Sequence, residues 1–131
     1  MHEPKVSWDE IIQRGKDFGL NPKQLYMVNT TPVYGMAPVL AALDEHLKWQ
    51  VHLEETGVMF AAGAVSNDGE NWDGEGFFVY RAESLEEATK IAAQDPIHAS
   101  GARTFRVRKW LLAEGSYQLR VRYSTGKAEV L

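Results

Sequence analysis

Residues 58–81 read VMFAAGAVSNDGENWDGEGFFVYR: a run of small and apolar residues, a polar stretch rich in glycine, and a second apolar run. Val58 to Val65 is predicted as a small-residue strand, Ser66 to Glu75 as a turn-rich loop, and Gly76-Phe77-Phe78-Val79-Tyr80-Arg81 as a strand of aromatic and branched side chains. Two strands joined in this way form an antiparallel hairpin. On its N-terminal side, from Ala37 to Gly57, the residues Val39, Leu40, Leu43, Leu47 and Val51 recur at helical spacing. On its C-terminal side Ser84-Leu85-Glu86-Glu87 has the form of a capping box and opens a helix with Leu85, Ala88, Ile91 and Ala92 on one face, ended by Asp95-Pro96.

Outside the two helices lie two more strands, Leu25 to Thr30 and Arg103 to Leu112. The order is therefore βαββαβ, and right-handed crossovers put both helices on one face of a four-stranded antiparallel sheet. This is the α+β, ferredoxin-like arrangement. The core spans about residues 25–112 of a single 131-residue domain. Residues 1–24 add a helical extension capped by Ser7-Trp8-Asp9-Glu10 and ending near Gly19. Residues 113–131 add a β extension, with alternating Tyr117, Leu119, Val121 and Tyr123, a turn at Ser124 to Lys127, and a return strand. Strand 76–81 carries Phe77 and Val79 on one side and Phe78 and Tyr80 on the other. Both faces of the sheet call for burial, so a homodimer closing sheet against sheet is expected.

With 14 Lys and Arg against 18 Asp and Glu, a net charge of −4 offers no basic field for nucleic acid. No apolar run approaches the roughly 20 residues that span a bilayer, and MHEPKVSWDE lacks the regions of a signal peptide. The chain reads as cytoplasmic, without nucleic-acid or membrane partners. There is no cysteine, which excludes disulfides and thiolate chemistry and leaves His, carboxylates, Tyr and Lys.

Three segments, in order, resemble the YCII-related family of small dimeric α+β barrel proteins. These are His46-Leu47-Lys48-Trp49 leading to Glu55-Thr56-Gly57; Ala61-Ala62-Gly63-Ala64; and Ala82-Glu83-Ser84-Leu85-Glu86-Glu87-Ala88 running to Asp95-Pro96-Ile97-His98, Gly101 and Arg106-Val107-Arg108-Lys109-Trp110. The resemblance implies a ferredoxin-like dimer with a pocket holding a His on the first helix and the Asp of the Asp-Pro step as an acid-base pair. Here these fall on His46 and Asp95. Related barrels include muconolactone isomerases and a chlorohydroxyquinol dehydrochlorinase.

On the residues alone, two readings of this pair stand. His46 lies three positions after Leu43 and borders the apolar stripe, so it either faces a cleft or bonds a carbonyl at the core edge. Its ordinary pKa of about 6.5 suits proton transfer near neutrality, and a neighbouring carboxylate fixes its tautomer; Asp95 supplies that carboxylate or merely ends its helix. His98 is either a second polar pocket group or a loop histidine. His52, six residues beyond His46, is rotated about 240° around the helix and belongs to the surface. Without HxxxH or HExxH spacing, a metal is not expected, and no cofactor pattern stands out for haem or flavin.

The loop 66–75 lacks the ligand spacing of a calcium site and reads as a mobile tip, with Trp72 packing back on the domain or closing a pocket. On strand 103–112, Arg106, Arg108 and Trp110 share one face, and Arg103, Phe105 and Val107 the other. Arg106 and Arg108 are the candidates for an anionic ligand, or else form interfacial ion pairs with the chain's carboxylates, and Tyr26 and Tyr80 are candidates for pocket-lining phenols or core. Two functions follow: a cofactor-independent lyase or isomerase acting through His46 and Asp95 on a small cyclic or aromatic-derived organic acid, or a non-catalytic dimeric module that binds a small ligand.

Overall fold

A computed structural model of the chain describes residues 3–131. Two compact units divide it, one of Gln24–Trp110 and one made of the residues up to Lys23 together with Leu111–Leu131. In the second unit Ser7 accepts a hydrogen bond from the Glu10 amide and opens α1, Trp8–Asp17, none of whose residues is buried. The C-terminal strands β5, Leu119–Val121, and β6, Ala128–Val130, pair antiparallel in register Leu119↔Val130. Four strands and three helices lie between α1 and β5 in the chain.

These are β1 Lys23–Pro32, α2 Met36–Glu55, β2 Met59–Ala64, β3 Gly76–Tyr80, α3 Leu85–Gln94, α4 Pro96–Ala99 and β4 Arg103–Leu112. The sheet order β2-β3-β1-β4 is that of the ferredoxin-like fold, with the hairpin partner β3 between β2 and β1. Val28 of β1 stands opposite Phe78 of β3, which stands opposite Ala62 of β2. Cross-strand neighbours share a face, so Tyr26, Val28, Phe78 and Tyr80 form one apolar surface. It is closed by Leu53 of α2 and by Ala88 and Ala92 of α3.

Three details depart from the sequence reading. The buried side of α2 is Val39, His46, Gln50 and Leu53, whereas Leu40, Leu47 and Val51 are half or more exposed. Of the apolar stripe seen in the sequence only Val39 is buried, and two polar residues take core positions. After Asp95 the chain does not pass into a loop but starts the short helix α4, with Pro96 at its first position, where its missing N–H is no loss. On the outer face of the sheet Leu25 and Val79 are already buried within one chain, and the register shift between Met59 and Ala61 places Phe60 in a bulge. Phe60 there meets the indole of Trp110 edge-on at 6.5 Å and carries the Arg81 guanidinium 5.2 Å above its ring.

Candidate functional site

Between α2 and the hairpin lies an open cleft of about 470 Å³. Its cause is the composition of β2: Ala61, Ala62, Gly63 and Ala64 present nothing large toward the helix, so the space stays unfilled. His46 and Gln50 of α2, Phe78 of β3, Trp72 of the hairpin loop and Arg103 of β4 line it.

His46 is brought to Asp95 across 49 positions of sequence, with Nδ1 2.8 Å from each carboxylate oxygen. Both side chains are buried, Asp95 completely. An ionised carboxylate only accepts, so Nδ1–H donates and the neutral ring keeps its lone pair on Nε2. The amide Nε2 of Gln50, one helical turn on, lies 3.3 Å from that atom. Gln50 Oε1 is buried without a partner. With the amide turned over, this oxygen would accept from a protonated Nε2, so Gln50 suits either charge state of the ring. Asp95 is itself fixed by accepting from the Ile97 amide as the N-cap of α4. The carboxylate is thereby held from two sides, and the ring of His46 also rests against Phe78 at 5.3 Å.

His98 sits on α4 in the interior and not on a solvent-facing loop. Its Nδ1 is 2.7 Å from the Ala92 carbonyl, which only accepts, so Nδ1–H donates and Nε2 accepts from Thr30 Oγ1 at 2.7 Å. Burial pushes its pKa below the ordinary histidine value, against the opposing pull of the Ala92 bond and Asp95. A neutral ring with both nitrogens bonded supports Thr30 and α4; it has nothing left for a ligand and does not line the cleft.

Tyr26 and Tyr80 are core residues and neither lines the cleft. Burial, reinforced by Asp95, pushes the Tyr80 phenol above its ordinary range, so it stays protonated. Arg106 and Arg108 are exposed on the outer face, as strand alternation requires, and Arg108 donates to the Asn29 side chain at 2.7 Å. They are replaced at the cleft by Arg103, which alternation puts on the opposite face of β4 and which the structure turns to the helix side of the sheet. Trp72 does reach the cleft, packed beside Val39 and Ile97, with its Nε1–H donating 2.7 Å to the Glu75 carbonyl.

The loop that carries Trp72 is tied together internally. Asp68 accepts from the amides of Glu70 and Asn71 and from the Asn71 side chain, and these bonds hold its carboxyl well below the usual carboxylate range. At the loop's end Gly74, at φ +91°, passes so close to Pro32 and Met36 that a Cβ would stand 2.6 Å from the proline ring. Among the described residues, no group of three or more His, Asp or Glu side chains is placed to hold a metal ion, and no helix is long and apolar enough to cross a membrane.

A family model for the YCII-related domain matches residues 24–111. No curated protein matches the chain significantly in sequence. Among solved structures, 5-chloro-2-hydroxyhydroquinone dehydrochlorinase from Burkholderia phenoliruptrix AC1100, in complex with 2,5-dihydroxybenzoquinone, shares the fold with a TM-score of 0.50 and 18% identity, over 66% of this chain and 92% of that one. A dimeric ferredoxin-like protein from an uncultured marine organism gives a TM-score of 0.47 and 14% identity, over 73% of this chain and 100% of that one. At such identities the likeness is one of fold.

Proposed function

The chain belongs to the family of YCII-related domains, and on that footing we propose that it is a small cofactor-independent enzyme of the lyase or isomerase type, acting on a small cyclic or aromatic-derived organic acid. The observation that carries this reading is the buried contact of 2.8 Å between His46 and Asp95 at the wall of an open cleft. Nε2 of His46 takes a proton from a carbon next to the substrate's carbonyl. Asp95 keeps the tautomer and stabilises the imidazolium, and the proton returns to another carbon or a leaving group departs. Positioned acid-base help of this kind contributes roughly 100- to 10,000-fold, enough where the substrate's own carbonyl takes up the developing charge.

A second reading, a non-catalytic module that binds a small ligand, draws on the Gln50 amide 3.3 Å from Nε2, which satisfies the lone pair a base would use. Nitrogen-15 NMR of the His46 ring, in wild type and Asp95→Asn, bears on the pair directly. A titration that moves with Asp95 supports the enzyme; a ring indifferent to it removes the acid-base reading. Turnover is then sought among hydroxylated quinols, quinones and cyclic lactone acids, with His46→Ala as the control. The dehydrochlorinase of like fold suggests the first two classes, being complexed with a dihydroxybenzoquinone.

The same reading includes a homodimer in the cytoplasm. Its support is the apolar surface of one chain: half-buried Met27 and Phe77 on the outer face of the sheet, and exposed Leu40, Leu47 and Val51 along α2, the last two of which also line the cleft.

A further inference from the structure

Arg103 is 4% exposed, and among the described residues no other Lys or Arg is buried. Its side chain leaves the start of β4 toward the helix side, lines the cleft, and has two nitrogens, Nε and Nη1, that are buried with no hydrogen-bond partner. A guanidinium is a rigid fork of five donors, and buried forks are ordinarily filled by a carboxylate or a row of carbonyls. The carboxylate that acts on it most is Asp95, yet that group already serves His46 and the Ile97 amide and makes no ion pair with Arg103.

The fold nevertheless makes room for this charge. Gly76 lies directly beside it: a Cβ there would stand 3.2 Å from Nη1 and 3.1 Å from the Phe78 ring. On another side the Trp72 ring lies 5.8 Å from Cζ. An unfilled cationic fork, flanked by two aromatic side chains in a cleft that also holds His46, is a receptor for a flat anion.

We propose that Arg103 is the binding residue for the acid group of the ligand, and that the cleft takes a small planar ring bearing a carboxylate or an equally acidic enol, its anionic oxygens on the guanidinium and its ring between Trp72 and Phe78. The proposal names the substrate class of the site assigned above and rests on that reading for the role of His46 alone; the anion site stands on Arg103. Charge in the cleft agrees with it. Arg103 is buried at the cleft wall, whereas Glu54, the one acidic residue lining the cleft among the described residues, is exposed to solvent that screens it, and a proton arriving on His46 offsets the second charge that develops on the ligand.

The test uses the whole chain with benzoate, salicylate and 2,5-dihydroxybenzoquinone as anionic probes and benzamide as the neutral counterpart of benzoate, read in nitrogen-15 NMR by the Arg103 Nε–H resonance in the wild type and by the indole N–H resonance of Trp72, which lines the cleft beside Arg103, in the wild type and every variant. The expected result is that at least one anion shifts these resonances at millimolar concentration, with benzamide at least about tenfold weaker than benzoate, as a charge-assisted fork requires. Arg103→Lys should keep the preference for benzoate at reduced affinity, and Arg103→Gln should abolish it.

Equal binding of benzoate and benzamide to the wild type, no shift with any anion, or a preference that survives Arg103→Gln would each overturn the proposal. The first two need no variant, so a misfolded Arg103→Gln leaves the test intact. His46→Ala separates the two readings. If anions still bind it while the His46 ring proves indifferent to Asp95, the acid-base reading falls and the anion site remains.

Discussion

Nδ1 of His46 lies 2.8 Å from both oxygens of a carboxylate, that of Asp95, which is itself the cap of a helix. Asparagine is also a good cap, so Asp95→Asn keeps the start of α4 and removes the charge. Asp95→Ala removes both, and is expected to lower stability by about 3 kcal/mol, the sum of a lost cap and a lost bond to a charged acceptor. Asp95→Asn should lose about half of that. Urea unfolding of the two variants checks the order.

His46→Ala is expected to reduce turnover of whichever acid is found by roughly 100- to 10,000-fold with little change in KM. Gln50→Leu leaves Nε2 without its amide neighbour, and the pH dependence of kcat should move while the fold persists. Steady-state rates over a pH series separate the two variants.

The His98 ring has its pKa depressed by burial, so the folded chain resists a proton that the unfolded chain accepts. Stability is therefore full above the ordinary histidine value of about 6.5 and falls as the pH drops below it. Denaturant midpoints at a series of pH values between neutral and mildly acidic should show the decline, and His98→Phe should show less of it. Thr30→Val, which deprives buried Nε2 of its donor, should lower stability by about 1–3 kcal/mol at neutral pH.

Gly76→Ala brings a methyl within 3.2 Å of Arg103, Phe78 and Thr30. Overpacking of this kind costs about 1–3 kcal/mol, and here it also displaces the guanidinium. Gly74→Ala adds strain at φ +91° to a contact of 2.6 Å and should be the worse of the two. Thermal unfolding checks the ranking.

A homodimer in solution should appear in analytical ultracentrifugation. Phe77→Glu is expected to dissociate it, because the charge would fall on the outer face of the sheet. Dissociation by Leu47→Glu instead would place the contact on α2.

The elements were legible because their signals are local. Ser84 and Glu87 cap α3 as their spacing announces, with the Glu87 amide donating to Ser84 Oγ and the Glu87 carboxylate accepting from the Glu83 amide. The apolar face of β3 follows from alternation. Asp95-Pro96 carried two messages, a stop and a start, and only the stop was read; a cap residue followed by Pro is also the opening of a helix. The facing of α2 was obscured because His46 and Gln50 occupy core positions that a hydrophobic pattern passes over. Arg103 is a long-range matter. Alternation separated it from Arg106 and Arg108 without saying which face meets the helices, and its burial depends on Gly76, Phe78 and Trp72, elements away in sequence, which nothing near residue 103 announces.

One consequence of the distance between residues 46 and 95 concerns the making of the chain. Synthesis runs from the N-terminus, so His46 is complete 49 peptide bonds before its carboxylate exists. Through that interval a nascent chain holding the first helix and the whole hairpin has the imidazole without its partner, and α4 cannot be capped. A ribosome-bound chain stalled before residue 95 holds α2 and the hairpin but neither Asp95 nor the Arg103 of the cleft wall, so the cleft is completed only once the start of β4 has been made.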